Sequence, residues 1–221
     1  MTTLDLNLGS TVKVGTMTTT DAPHHPNHHA HHPGFSGIGG ALAALTMTVG
    51  RDGDARLAAE LTDLRPDDRL VDLGCGPGAA ARHAARLGAS VTGVDPAPVM
   101  LDVARKLSRR RSGIAYLEGA AEAIPLPDGS ATVVWALATV HHWPTLEPAL
   151  VEVARVLAPG GRFLAAERRT RPNATGLASH GWTSEQAATF ASLCRDAGFV
   201  DVAIATHPGR RSLVTVMARR P

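Results

Sequence analysis

The sequence predicts an α/β fold: a seven-stranded, mostly parallel sheet with helices on both faces and an antiparallel hairpin at its end. Three observations predict it. From Arg69 onward, short apolar runs of β-like composition alternate with helical patterns, as βα units feeding a parallel sheet do. One unit runs from an apolar strand into a glycine-rich turn, Val71-Asp72-Leu73-Gly74-Cys75-Gly76-Pro77-Gly78. The last two runs, Val200 to Thr206 and Leu213 to Ala218, are joined around His207-Pro208-Gly209 by a link too short for a parallel crossover.

The elements follow in chain order. Residues 1–33 carry Thr, Pro and His in place of periodic apolar residues, with His24, His25, His28, His29, His31 and His32 crowded together. That composition reads as a disordered His-rich tail. It offers neutral imidazoles to zinc, nickel or copper, but no Cys or carboxylate stands among these histidines, so no fixed metal site is expected there. Residues 34–66 read as two covering helices. Ile38, Leu42, Leu45 and Val49 share one helical face, Leu57, Leu61 and Leu64 make a second pattern, and Pro66 forbids its continuation.

Residues 67–221 form the main domain. Strands are expected at 70–73, 90–94, 114–117, 131–137 and 162–166, and helices at about 79–87, 98–110, 146–157 and 184–197. Thr183 with Gln186 three residues on makes a capping box, Gly198 stops the last helix, and Pro159-Gly160-Gly161 stops the one before it.

Composition narrows the function. The chain has 221 residues, 44% of them hydrophobic, and a formal net charge of +2, too small to argue for nucleic acid or an anionic membrane surface. The Arg109-Arg110-Arg111, Arg168-Arg169 and Arg210-Arg211 runs read as solvated faces, since one Tyr and four Phe leave no platform for stacked bases. No apolar run reaches the roughly 20 residues of a membrane span, and no signal peptide is visible. Cys75 and Cys194 lie far apart with no CxxC spacing, which points to a reducing, cytoplasmic compartment.

The glycine turn carries the chemistry. Glycines let backbone approach a ligand where a Cβ would clash, and the next strand ends Val91-Thr92-Gly93-Val94-Asp95, placing a carboxylate where it can accept from both hydroxyls of a ribose. A nucleoside-containing cofactor fits that pattern.

The ordered set of motifs from about Gly50 to Arg219 resembles the class I S-adenosylmethionine-dependent methyltransferases, a Rossmann-like family. Within them it is similar to the small-molecule group of the quinone-biosynthesis C-methyltransferases. Val71 to Gly78 resembles the family's first motif and Gly93-Val94-Asp95 its ribose-binding strand end. Glu118-Gly119-Ala120-Ala121-Glu122-Ala123-Ile124-Pro125-Leu126-Pro127-Asp128-Gly129-Ser130 is similar to its segment along the adenine, and Leu157-Ala158-Pro159-Gly160-Gly161 to its helix-to-strand turn.

The resemblance implies S-adenosylmethionine as cofactor and a small-molecule methyl acceptor. Asp72, Gly74, Cys75, Gly76 and Gly78 would shape the methionine end of the pocket, Cys75 by packing. Asp95 would hold the ribose, with Pro96, Met100, Ala120, Ala121 and Glu122 near the adenine. Leu137 to His142 would run past the sulfonium. The family often has an acidic residue where this chain has Ala120, which leaves adenine recognition to backbone groups there.

His142 is the candidate general base, with His141 beside it; no metal ligands are assigned. Arg168, Arg169 and Arg171 are candidates to meet an acidic acceptor, and His180 and Trp182 to line the entrance. A nicotinamide-dependent oxidoreductase shares the first strand and turn, but Ala79 stands where its third glycine belongs. A non-catalytic cofactor- or metal-binding protein and a nucleic-acid methylase are the remaining alternatives.

Overall fold

A computed structural model describes residues 52–209 and 212–221. The tail expected over residues 1–33, the helix expected on Ile38 to Val49, and Arg210-Arg211 of the hairpin link lie outside the described residues. The elements are α1 (Asp52–Leu61), β1 (Arg69–Leu73), α2 (Ala79–Arg86), β2 (Ser90–Asp95), α3 (Pro98–Ser108), β3 (Ile114–Glu118), β4 (Ala131–Leu137), α4 (Leu146–Val156), β5 (Leu157–Arg168), α5 (Ser184–Asp196), β6 (Val200–His207) and β7 (Leu213–Arg219). Short 3-10 turns occupy Val140–His142 and Gly176–Ser179.

The strands form one sheet in the order β3-β2-β1-β4-β5-β7-β6. All pairs from β3 to β5 are parallel, and β7 runs antiparallel to both β5 and β6. The expected α/β class, mostly parallel sheet and antiparallel final hairpin are therefore observed. β7 inserts between β5 and β6 because its Val214 and Val216 are fully apolar and buried, whereas β6 leaves Val200 and Ile204 exposed at the sheet edge. Chain direction reverses the strand order beside β1, so a crevice opens at the carboxyl ends of β1 and β4.

Side-chain alternation divides the core in two. Val71, Leu73, Val134, Ala136, Phe163 and Ala165 face α4 and α5. Leu70, Val91, Val133, Trp135, Leu164 and Ala166 face α1, α2 and α3. Period-two alternation of continuous apolar runs is what a sheet covered on both faces requires. The Thr183–Gln186 capping box starts α5: the Gln186 amide donates to Thr183 Oγ1 at 3.2 Å and the Thr183 amide to Gln186 Oε1 at 2.9 Å.

Two local details differ from the sequence pattern. In α1 the buried face consists of Ala55, Ala58 and Ala59, followed by Thr62, while Leu57, Leu61 and Leu64 are half-buried. Small residues leave space for Trp135, whose indole N–H donates to Thr62 Oγ1 at 3.2 Å. Strand β5 begins at Leu157, five residues before Arg162. Leu157 already pairs with Ala131, and an irregularity absorbs Ala158 to Gly161 before Arg162 pairs with Val133. Backbone bonds from Gly160 to Arg220 and from Arg220 to Gly161, both 2.9 Å, hold that excursion.

Candidate cofactor cleft and adjoining histidine cluster

The turn after β1 is built by close approach. Gly74 adopts φ 71°, and a Cβ there would fall 2.1 Å from Thr139 Oγ1, so only glycine fits under the chain leaving β4. Gly76 also has positive φ, 51°, but a Cβ on it would meet no atom within 4 Å: this part of the turn faces open space. The Gly76 amide donates to Asp95 Oδ2 at 2.8 Å, and the Ala97 amide to Asp95 Oδ1 at 2.9 Å. Burial pushes the Asp95 carboxyl up, against the opposing pull of these two backbone donors. Each carboxylate oxygen keeps a further acceptor site beyond its backbone bond.

Asp54, Asp72, Gly74, Cys75, Pro77, Ala79, Ala80 and Leu137 line a narrow cleft beside this turn. Of the residues singled out in the sequence, the structure thus brings together Asp72, Gly74, Cys75 and Leu137. Asp54, Pro77, Ala79 and Ala80 were not foreseen. The two alanines had a signal, since a helix must start directly after the turn; Asp54 had none, because α1 carries no motif. Burial, and then the nearby Asp72 and Asp95 carboxylates, push the Cys75 thiol well up. A protonated thiol is no nucleophile, which agrees with a packing role.

The other named residues lie around the cleft without lining it. Gly78 precedes α2 at φ 75°, with Tyr116 filling the space a Cβ would need. Pro96 is exposed, Met100 is buried in α3, and Ala121 is buried. The Ala120 carbonyl accepts from the Ala123 amide at 3.2 Å. Glu122 Oε1 accepts from the Thr145 amide at 3.1 Å, at the start of α4.

Beyond β4 the chain turns sharply. Ala138 sits at φ 53°, its amide donates to the Ala166 carbonyl at 2.7 Å, and the Val140–His142 turn follows, anchored by fully buried Val140. This places buried His141 over the end of β5. His141 Nδ1 lies 2.9 Å from Glu167 Oε2, and the His141 amide donates to Glu167 Oε1 at 3.4 Å. Glu167 has no solvent exposure. A carboxylate accepts, so this contact favours the imidazole tautomer that carries its hydrogen on Nδ1 and leaves Nε2 as the acceptor.

Two more imidazoles complete the cluster. The His142 ring is centred 4.0 Å from that of His141, and His180 lies 5.5 and 5.7 Å from the two. The segment after β5 delivers His180: the Trp182 amide donates to the Arg168 carbonyl at 2.9 Å and the Thr170 amide to the Trp182 carbonyl at 2.8 Å. Trp182, expected near the entrance or packed, is fully buried against Phe190 at 4.8 Å. Sequence reading missed Glu167, because its contact with His141 spans 26 residues and no motif joins them. A roomier cavity of about 720 Å³ opens at the same end of the sheet, lined by Arg169, Arg171, Asn173, Thr183 and Glu185 among others.

A parallel sheet with its crevice beside β1, a glycine turn tied to the carboxylate ending β2, and an antiparallel final hairpin define the class I methyltransferase fold. Residues 71–165 match the family model described as a methyltransferase domain. It is 33% identical over 112 residues to the demethylmenaquinone methyltransferase of Tropheryma whipplei (strain Twist), covering 51% of this chain and 46% of that one. It is 39% identical over 124 residues to the malonyl-[acyl-carrier protein] O-methyltransferase of Serratia marcescens, covering 56% and 46%. The chain thus spans about half the length of these curated relatives. In structure it is similar to a SAM-dependent methyltransferase from Aquifex aeolicus, with a TM-score of 0.71 and 15% identity, over 82% of this chain and 98% of the other.

Proposed function

We propose that this protein is an enzyme that transfers a methyl group from S-adenosylmethionine to a small-molecule acceptor. The observation that carries the reading is the Gly76–Asp95 junction: a backbone wall without a Cβ, open to ligand, beside a carboxylate with acceptor capacity to spare. These residues fit the cofactor, which when bound supplies the methyl group and the sulfonium leaving group.

The protein's own work is placement. Asp72, Gly74, Cys75, Gly76 and Gly78 bound the methionine end, and Asp95 accepts from the ribose hydroxyls. Pro96, Met100, Ala120, Ala121 and Glu122 serve the adenine side. Leu137 borders the sulfonium, and exclusion of water with in-line alignment supplies most of the acceleration. His142 takes the acceptor's proton on a ring nitrogen, and His141, locked to Glu167, positions it.

The acceptor enters from the cavity lined by Arg169 and Arg171, whose guanidiniums suit an acidic group. A small molecule, not nucleic acid, is the acceptor class that the names of the relatives support. Residues 67–221 make up the catalytic domain, with α1 packed against it. Among the described residues no helix is long and apolar enough to cross a membrane. The free thiols Cys75 and Cys194 support a cytoplasmic setting.

The test is thermal unfolding with S-adenosylhomocysteine, S-adenosylmethionine and NAD in parallel, followed by an acceptor screen that reads S-adenosylhomocysteine release. Stabilisation by the two sulfur ligands of about 2.7 kcal/mol at 100 times Kd, without NAD doing the same, is the expected result. Stabilisation by NAD alone overturns the proposal in favour of an oxidoreductase; no stabilisation by any of them leaves a non-catalytic protein.

A further inference from the structure

We propose that His141, His142 and His180 form a binding site for a borderline divalent transition-metal ion, with zinc the natural occupant, at the carboxyl ends of β4 and β5. One potential ligand atom from each of the three residues lies within 4.8 Å of the other two. Tetrahedral zinc needs nitrogens about 3.3 Å apart at zinc–nitrogen bonds of about 2.0–2.1 Å. Binding would draw His142 and His180, both half-buried, toward the fixed His141 by side-chain rotation. His141 is the fixed member, held by Val140 in the core and by Glu167.

The Glu167–His141 contact favours a metal over simple ring packing. Metal-binding histidines typically donate their other ring N–H to a carboxylate, which sets the tautomer, aims the ligating nitrogen and raises its basicity. His141 has that arrangement, with Nδ1 at 2.9 Å from a fully buried carboxylate. Three imidazoles and no oxygen ligand select zinc, cobalt, nickel or copper over magnesium or calcium. Three protein ligands also leave a fourth tetrahedral position open, the arrangement of catalytic rather than structural zinc. A metal on His142 takes the lone pair that would accept a proton, so the base role of His142 belongs to the metal-free protein and an ion at this site would silence it. The site stands independently of methyl transfer: a chain that binds S-adenosylhomocysteine but no metal loses only this proposal.

The experiment uses the full chain with the six histidines between positions 24 and 32 replaced by Asn, which removes their competing imidazoles. Co²⁺ is titrated with visible absorption as the readout, then displaced with Zn²⁺, and stoichiometry is taken from equilibrium dialysis. One Co²⁺ per chain is expected, displaced by one equivalent of Zn²⁺. His142→Ala and His180→Ala should each weaken binding at least about 100-fold, and Glu167→Gln about 10- to 100-fold at unchanged stoichiometry. Circular dichroism of the metal-free proteins verifies that each variant folds, and His180→Asn replaces any alanine variant that does not. Failure of the six-substituted chain to bind one metal, or binding untouched by His142→Ala and His180→Ala, overturns the proposal and leaves three packed imidazoles.

Discussion

The amide of Gly76 donates to Asp95 Oδ2 at 2.8 Å, closing the turn after β1 onto the last residue of β2, 19 positions along the chain. One bond therefore makes the shape of the glycine turn depend on the residue proposed to hold the ribose. Asp95 serves both as a brace for the cleft and as its polar contact.

Asp95→Ala removes both roles. Hydrogen bonds to a charged group are worth about 1.5–3 kcal/mol, so S-adenosylhomocysteine affinity should fall by about 10- to 150-fold. Isothermal titration calorimetry on the variant, with its fold verified by circular dichroism, checks this; unchanged affinity would remove Asp95 from the site.

His142→Ala should leave S-adenosylhomocysteine affinity at the wild-type level and slow turnover by about 10²- to 10⁴-fold, the range of a lost general base. Steady-state kinetics of the metal-free wild type and variant on an accepted substrate decides it.

Gly74→Ala and Gly160→Ala form a controlled pair. Their φ angles are nearly the same, 71° and 75°, but a Cβ at Gly74 collides with Thr139 while one at Gly160 meets nothing within 4 Å. Strain in the left-handed region costs about 1–2 kcal/mol at both positions, and overpacking adds about 1–3 kcal/mol at Gly74 only. Urea denaturation should rank Gly74→Ala as the more destabilising.

Asp68 governs part of the acid response. Burial opposes its ionisation, but the Thr132 hydroxyl at 2.6 Å, the Arg65 amide at 2.8 Å and the Arg162 guanidinium outweigh it and hold the carboxyl below its ordinary value. A depressed folded-state pKa contributes stability that is complete above the unfolded value, about 3.9, and is lost as pH falls through the folded one. Asp68→Asn should be less stable than wild type at pH 7, and the gap should shrink below about pH 4. Denaturant midpoints measured from pH 7 to pH 2 check both statements.

Much of the architecture is legible in the chain because its signals are local. Alternating short apolar runs, the Thr183–Gln186 box and the short hairpin link each act over a few residues, so the seven strands and the antiparallel finish follow from neighbouring positions. Local patterns failed where packing chose between faces. In α1 the leucines make the more apolar stripe, yet the alanines are buried because the helix must fit around Trp135. At β5 the Pro159-Gly160-Gly161 stop is real, but pairing of Leu157 with Ala131 starts the strand before it.

The sequence by itself determined the sheet, the glycine turn and the carboxylate ending β2, because backbone propensity and hydrophobic period are written in adjacent residues. Only the tertiary structure decided what meets at the far end of the strands. Asp54 joins the cleft from a helix without a motif, Glu167 fixes His141 across 26 residues, and His180 arrives through the Arg168–Trp182 backbone pairing. The physical reason is that these contacts arise when parallel strands align their carboxyl ends, and the distance between two side chains there depends on strand order and register rather than on spacing along the chain.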